Sequence, residues 1–386
     1  MSLNSSIGSS SNNYQHSWKA VLAATLATFT VVTTEMLPIG LLNPIAAQYL
    51  VSTSTAGLLM TLPAIIAAIS APIIILFTRT LDRKIILVFG AFLLMACNLI
   101  AAFTPHFSLL LISRAFVGIC IGIIWSIAGG IAPRLVPPKK VSLATSLIFG
   151  GVAAASVIGV PLSVFIGEWL GWRKAFLLMG SLSFTLTLLL MYYFPPLPVQ
   201  SIPTIKAFIY QIKRPIIYIA LLITFLLVSG HFLVFTYIRP LLLSSDISGE
   251  KLGIILLLYG VSGILGNFIF GISSNSRLHL SIRLIITGII LALIIFIIAP
   301  LNIINTSINM ILWGISYGGV SVALMTWMIV NSSKNIEITS SLYISIFNIG
   351  IAAGSVLGSL LIALSGINTV LIIAIVLLSI AFLCTK

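Results

Sequence analysis

The sequence predicts an all-α membrane protein of twelve transmembrane helices arranged as two six-helix repeats. Three observations predict it. Of the 386 residues, 60% are hydrophobic and 6% are charged, whereas soluble domains carry roughly 25% charged residues. The apolar residues gather into windows of the roughly 20 residues that a helix needs to cross a hydrocarbon core about 30 Å thick. A segment of the first half is also echoed in the second, 199 residues later.

The elements follow in order. Residues 1–17 are rich in Ser and Asn and lack an apolar pattern, so they read as a disordered cytoplasmic tail. A secretory signal is excluded because the basic leading region is missing and the next apolar run holds Glu35. Spans are expected near 19–42, 55–78, 85–104, 107–132, 142–167 and 172–194, forming an N-terminal bundle over 18–194. Residues 195–214 carry several prolines, three basic residues and a broken apolar pattern, which marks a cytoplasmic linker. A C-terminal bundle over 215–386 then holds spans near 215–238, 252–273, 283–300, 306–330, 338–364 and 367–384. Gly151-Val-Ala-Ala-Ala-Ser-Val-Ile-Gly159 in the fifth span matches Gly350-Ile-Ala-Ala-Gly-Ser-Val-Leu-Gly358 in the eleventh without a gap. Duplication explains that match better than shared Gly/Ala composition, and a six-plus-six repeat places a substrate site near the midplane between the halves.

Orientation comes from Lys and Arg, which concentrate in cytoplasmic loops. With the N-terminus inside, fourteen of the nineteen basic residues fall on the cytoplasmic side, four fall outside, and Arg114 lies within a span. The termini are therefore expected in the cytoplasm. The net charge of +13 is not a nucleic-acid signal, because the basic residues sit in short loops between apolar runs. Cys97, Cys120 and Cys384 fall in apolar runs without metal-ligand spacing, so neither a metal nor a cofactor is expected. Enzyme motifs such as H-E-x-x-H, the P-loop and G-x-S-x-G are absent, which points to a carrier driven by a gradient.

Few residues within the spans bear chemistry. Glu35 is the one acidic residue well inside a span. A charged side chain at the bilayer centre costs roughly 2.5–3.5 kcal/mol on insertion scales, and protonation removes most of that. Glu35 reads either as a proton-coupling or substrate-binding carboxylate, or as a residue near the outer end of the first helix that reaches water. Arg114 cannot discard its charge and needs a partner, water or backbone carbonyls; the alternative is a headgroup anchor. Glu35 is its partner only if the first and fourth helices face each other. Gly150, Gly151, Gly159 and Pro161 in the fifth span suit a close and bendable interface between moving halves, or a static helix pair. Cavity candidates are Trp125, His231, Tyr237, Asn267, Trp313, Tyr317, Trp327 and Asn348, since aromatic walls with a few amides suit flat hydrogen-bonding solutes. Each Trp or Tyr taken singly also reads as an interfacial anchor.

These residues together resemble the major facilitator superfamily, specifically its bacterial twelve-helix drug/proton antiporters, along nearly the whole chain. The resemblance rests on Thr34-Glu-Met-Leu-Pro-Ile-Gly in the first helix and on Ser113-Arg114 followed by Gly118 and Gly122 in the fourth. Ile158-Gly-Val-Pro161 with Leu170-Gly-Trp-Arg-Lys-Ala-Phe176, and Thr236-Tyr-Ile-Arg-Pro240, also fit. By this resemblance Glu35 and Arg114 serve proton coupling, and Gly159 and Pro161 lie in the antiporter segment. The loop with Arg79, Asp82, Arg83 and Lys84 serves cytoplasmic gating. That loop departs from the family's pattern, with Arg79 where an Asp belongs, which weakens the expectation of a charge clamp there. Features of both sugar-efflux and purine-ribonucleoside-efflux permeases are present, leaving the solute open among sugar, nucleoside and drug. The expected protein is a proton-coupled exporter in a bacterial inner membrane, working as a monomer by alternating access. A facilitator or importer on the same fold is the alternative, and a membrane subunit of a larger complex is a more distant one.

Overall fold

A computed structural model of the chain describes residues 18–51, 53–128, 130–199, 203–243, 249–274, 276–299, 302–332 and 335–385. The expected tail over 1–17 lies outside them. Among the described residues there are helices and no strands. The first half contains α1 (Trp18–Tyr49), α2 (Leu58–Phe77), α3 (Arg83–Phe103), α4 (Phe107–Ala128), α5 (Val141–Leu170) and α6 (Trp172–Tyr193). The second contains α7 (Pro215–Phe235), α8 (Gly249–Ser274), α9 (Leu278–Ile298), α10 (Ile303–Gly318, resuming after Gly319 as Val320–Asn331), α11 (Ile336–Ser365) and α12 (Ile367–Leu383). Each expected span has its helix. Ten of the helices are long and apolar enough to cross a membrane, α12 is a shorter apolar helix, and α5 runs for 30 residues.

Two departures have physical causes. The hydropathy window for the first span closes before Asn43 and Pro44, yet α1 continues to Tyr49 through both Pro38 and Pro44. Hydropathy reports where lipid ends rather than where backbone hydrogen bonding ends. The tenth span is interrupted at Gly319, where an added Cβ would run into the Phe270 ring of α8.

Packing repeats between the halves. In the first, α1 lies on α5, α2 on α4, and α3 on α6; in the second, α7 lies on α11, α8 on α10, and α9 on α12. The echoed glycines explain one of these pairs. Gly151 brings α5 against the backbone of Thr25 and Phe29 on α1, and Gly350 brings α11 against Val228 and Phe225 on α7. Small residues allow such approach in lipid, where packing and hydrogen bonds rather than water release hold helices together. The halves meet through α2 against α11 and α5 against α8, so the contact is itself a symmetric exchange of equivalent helices.

Candidate functional site

The first helix and the fourth do face each other, but Arg114 engages backbone rather than the Glu35 carboxylate. Its Nε donates to the Leu59 carbonyl at 3.0 Å, Nη1 to the Thr34 carbonyl at 2.9 Å, and Nη2 to the Glu35 carbonyl at 3.0 Å. The choice of carbonyls follows from the prolines. In an α-helix the carbonyl of residue i accepts from the N–H of residue i+4, and proline has no N–H. Pro38 therefore orphans Thr34, and Pro63 orphans Leu59. Buried without a donor, each carbonyl would cost about 1–3 kcal/mol. One planar guanidinium satisfies both and pins α1, α2 and α4 together. Gly118, one turn further along α4, lets the same helix sit on Pro63.

Glu35 is half-buried beside this clamp. Among the described residues the ion pairs are those of Glu337, and Glu35 has none. Nearby, Asn98 of α3 donates to the Thr34 hydroxyl at 3.3 Å.

The aromatic candidates separate into four places. His231, Trp313 and Tyr317 meet between α7 and α10, joined by Phe235 and, from α8, Tyr259. The imidazole of His231 is sandwiched by Tyr317 (ring centroids 3.4 Å, 10° between planes) and Phe235 (4.9 Å, 23°). Trp313 lies edge-on to His231 at 5.3 Å and donates its Nε1–H to His231 Nδ1 at 3.2 Å. That bond makes Nδ1 the acceptor and leaves the proton on Nε2, which is buried with no hydrogen-bond partner among the described residues. Tyr237 is elsewhere: its hydroxyl donates to the Ser355 carbonyl at 2.9 Å, bracing α7 on α11. Trp125 packs on Phe149 at 5.4 Å, Trp327 lies beside His279 at 4.7 Å, and Asn348 donates into its own helix, to the Ile344 carbonyl.

Asn267 braces the two halves, donating to the Ser146 carbonyl at 2.8 Å. Gly150 faces Phe268 and Asn267 across this seam, next to a cavity of about 330 Å³ lined in part by Leu22, Phe29, Ala154 and Phe268. Gly159 and Pro161 lie within α5, whose helix is continuous through them, and their surroundings lie outside what is described.

Of the expected gating residues, Arg83 is buried and carries a charge clamp, despite the loop's departure from pattern. It pairs with both oxygens of Glu337 on α11 and also donates to the Thr78 and Leu81 carbonyls. Arg134 approaches the same carboxylate at 3.5 Å. Burial pulls the Arg134 guanidinium below its ordinary pKa, and the Glu337 carboxylate acts to raise it. Asp82 takes a structural part, capping α3 through the Lys84 N–H at 2.8 Å and accepting from the Leu197 N–H at 2.9 Å. Arg79 is exposed, outside the clamp. Among the described residues, further polar contacts between the halves are Ser142 to the Gly271 carbonyl and Ser345 to the Ala68 carbonyl. All of these ties, with Asn267 to Ser146, lie within about three helical turns of the end that carries the α2–α3, α4–α5 and α10–α11 connections. The described structure is held shut at that end.

Sequence reasoning missed Glu337, Phe235 and Tyr259. Glu337 lies 254 residues from Arg83, and a loop carboxylate gives no sign of its partner. Phe235 and Tyr259 look like ordinary span aromatics.

Two duplicated helix bundles, meeting through equivalent helices, closed at one end and holding in their spans an aromatic cluster and a carboxylate with no ion pair among the described residues, define a membrane transporter of small solutes. Residues 24–340 match the family model of the Major Facilitator Superfamily, and the chain belongs to that family. It is a transporter and not an enzyme. It is 28% identical over 351 residues to a protein described as a probable sugar efflux transporter of Helicobacter pylori, covering 90% of this chain and 89% of that one. A protein of the same description from Mannheimia succiniciproducens is 28% identical over 345 residues, covering 88% and 86%. The human organic anion transporter MFSD10 (TETRAN) superposes with a TM-score of 0.77 at 14% identity, over 97% of this chain and all of that one. That last likeness concerns the fold.

Proposed function

We propose that this chain exports a small polar solute, a sugar first among the candidates, in exchange for inward-moving protons. The observation that carries the reading is Glu35, a half-buried carboxylate within a span that has no ion pair among the described residues. Arg114 sits beside it, yet spends its donors on backbone carbonyls. The carboxylate is then free to exchange a proton as the two halves rock. One charge moved through 100 mV yields about 2.3 kcal/mol, enough for roughly fifty-fold accumulation from the potential alone.

The solute class rests on the relatives described as probable sugar efflux transporters and on the aromatic cluster of the second half. Aromatic rings present apolar faces to the C–H face of a pyranose or furanose, and the unpartnered Nε2–H of His231 offers a hydroxyl its donor. In this reading 18–194 and 215–386 are the two rocking domains, joined by a linker over 195–214. The termini and the Glu337 clamp face the cytoplasm of a bacterial cell, the protein works as a monomer, and the described state is open toward the outside.

The test uses everted vesicles energised to acidify the lumen and monitored with a pH dye. Pentoses, hexoses, purine nucleosides and cationic drugs are added in turn, with Glu35→Gln vesicles as control. Proton release on adding sugar, absent in the control, is the expected result. Sugar uptake with no proton release would replace exchange by facilitated passage.

A further inference from the structure

Between the halves, residues Ile205–Lys213 form a helix whose surface divides into three stripes. One faces the protein, with Phe208 7% and Gln211 1% exposed. A second is an apolar ridge turned outward at i, i+4 and i+7, with Ile205 67%, Ile209 48% and Ile212 40% exposed. The third carries Lys206 and Lys213 with the exposed Tyr210. The whole stretch 195–214 contains basic residues and no Asp or Glu.

The helix is also fixed at both ends. Arg214 adopts an extended conformation (φ −70°, ψ 122°), and Pro215 then starts α7, so the chain turns a corner where the span begins. Arg214 donates to the Asn331 carbonyl at the end of α10 and to the Gln211 side chain. Upstream, the N–H of Leu197 is held by Asp82, its carbonyl accepts from the Arg83 N–H, and the Pro198 carbonyl accepts from Arg134.

We infer that the helix Ile205–Lys213 docks on the anionic lipid surface of the leaflet at the clamped end. Its isoleucine ridge enters the acyl boundary, and Lys206 and Lys213 lie on lipid phosphates. An aqueous partner would leave the isoleucine ridge wet, whereas a helix at the foot of a span is already beside lipid. A basic amphipathic helix binds such an interface through buried apolar area together with attraction to anionic lipid. Because the linker is tied to Asp82, Arg83 and Arg134, two of which hold Glu337, its docking bears directly on the clamp. The inference stands apart from the solute and from proton coupling.

The experiment places a nitroxide on Ile209→Cys in the full chain, with Cys97, Cys120 and Cys384 replaced by Ala. The protein is reconstituted in phosphatidylcholine alone or mixed with phosphatidylglycerol. Collisions with oxygen and with a water-soluble nickel chelate report depth. In the mixed vesicles the label should be reached by oxygen and shielded from nickel. Lys206→Gln or Lys213→Gln should each lower the docked-to-free ratio about fivefold, and high salt should do the same. Nickel access equal to that of a label at Arg79→Cys, in both lipids, would overturn docking altogether. Equal depth in both lipids, untouched by the lysine variants, would overturn the part given to anionic headgroups. An Ile209→Cys chain that failed to reconstitute would be replaced by Ile212→Cys, on the same ridge.

Discussion

Replacing Arg114 by Met removes three donors at once and leaves the Leu59, Thr34 and Glu35 carbonyls without their side-chain partner. Two of these have no helical donor either, because Pro63 and Pro38 stand where the N–H groups would be. At about 1–3 kcal/mol for each buried unsatisfied acceptor, the two orphans predict a loss of about 2–6 kcal/mol. A merely well-packed arginine would lose stability on truncation as well, so the decisive quantity is the coupling to the prolines. In a Pro38→Ala, Pro63→Ala background both carbonyls regain an i+4 donor, and the cost of Arg114→Met should fall by about 2–6 kcal/mol, outside the few tenths expected of independent sites. Unfolding in mixed micelles with rising dodecyl sulfate, followed by tryptophan fluorescence, measures all four corners of the cycle. Strict additivity would refute the account of Arg114 as the donor for proline-orphaned carbonyls. Arg114→Lys should recover part of the loss, since an ammonium has donors but no rigid fork to span three carbonyls on two helices.

Glu35→Gln should abolish solute-induced proton release while leaving the dodecyl sulfate unfolding midpoint nearly unchanged. Glu337→Gln should open the clamped end. Removing one partner of a buried ion pair costs about 3–5 kcal/mol, and the partly exposed Glu337 places the effect at or below the bottom of that range. The readout is faster labelling of Ser345→Cys by a bulky hydrophilic maleimide in everted vesicles, and an unchanged rate would remove the clamp from the gating scheme. Tyr317→Ala, which takes away one face of the His231 sandwich, should raise the apparent KM for sugar about tenfold or more, on the roughly 1–3 kcal/mol by which aromatic contacts weigh; Tyr317→Phe should restore it. Loss of affinity in both variants would point to the hydroxyl rather than the ring.

The large-scale plan was legible because lipid imposes it. Spans must be apolar and roughly 20 residues long, so hydropathy alone located each helix, and the basic residues divided unevenly between the two sets of loops. The echo of Gly151 in Gly350 implied a repeat, and in the structure the two glycines sit in equivalent helix pairs, α5 on α1 and α11 on α7. What remained hidden depends on three-dimensional partners. An arginine within a span needs a partner, water or backbone carbonyls, and that much is readable at Arg114, yet the link to Pro38 and Pro63 requires knowing that three helices converge. Asp82 and Arg83 sit side by side in sequence and part company in space, one capping α3 and the other reaching across to α11. Tyr237 and Asn267 have the chemistry of cavity residues, and their ties to the Ser355 and Ser146 carbonyls could not be read from it, because a polar side chain in a span takes whatever partner the packing brings.

The seam between α2 and α4 returns between α8 and α10. Gly118 sits against Pro63, and Gly314, 196 residues on, sits against Tyr259, itself 196 residues past Pro63. By that register Met310 occupies the place of Arg114, and an aromatic ring occupies the place of Pro63. Two copies that began with one interface have specialised: the first holds an arginine keystone on proline-freed carbonyls, and the second filled the same ground with stacked rings. Matched substitutions in the two copies should therefore be unequal, and a protein built from two first halves would inherit two keystones and no aromatic wall.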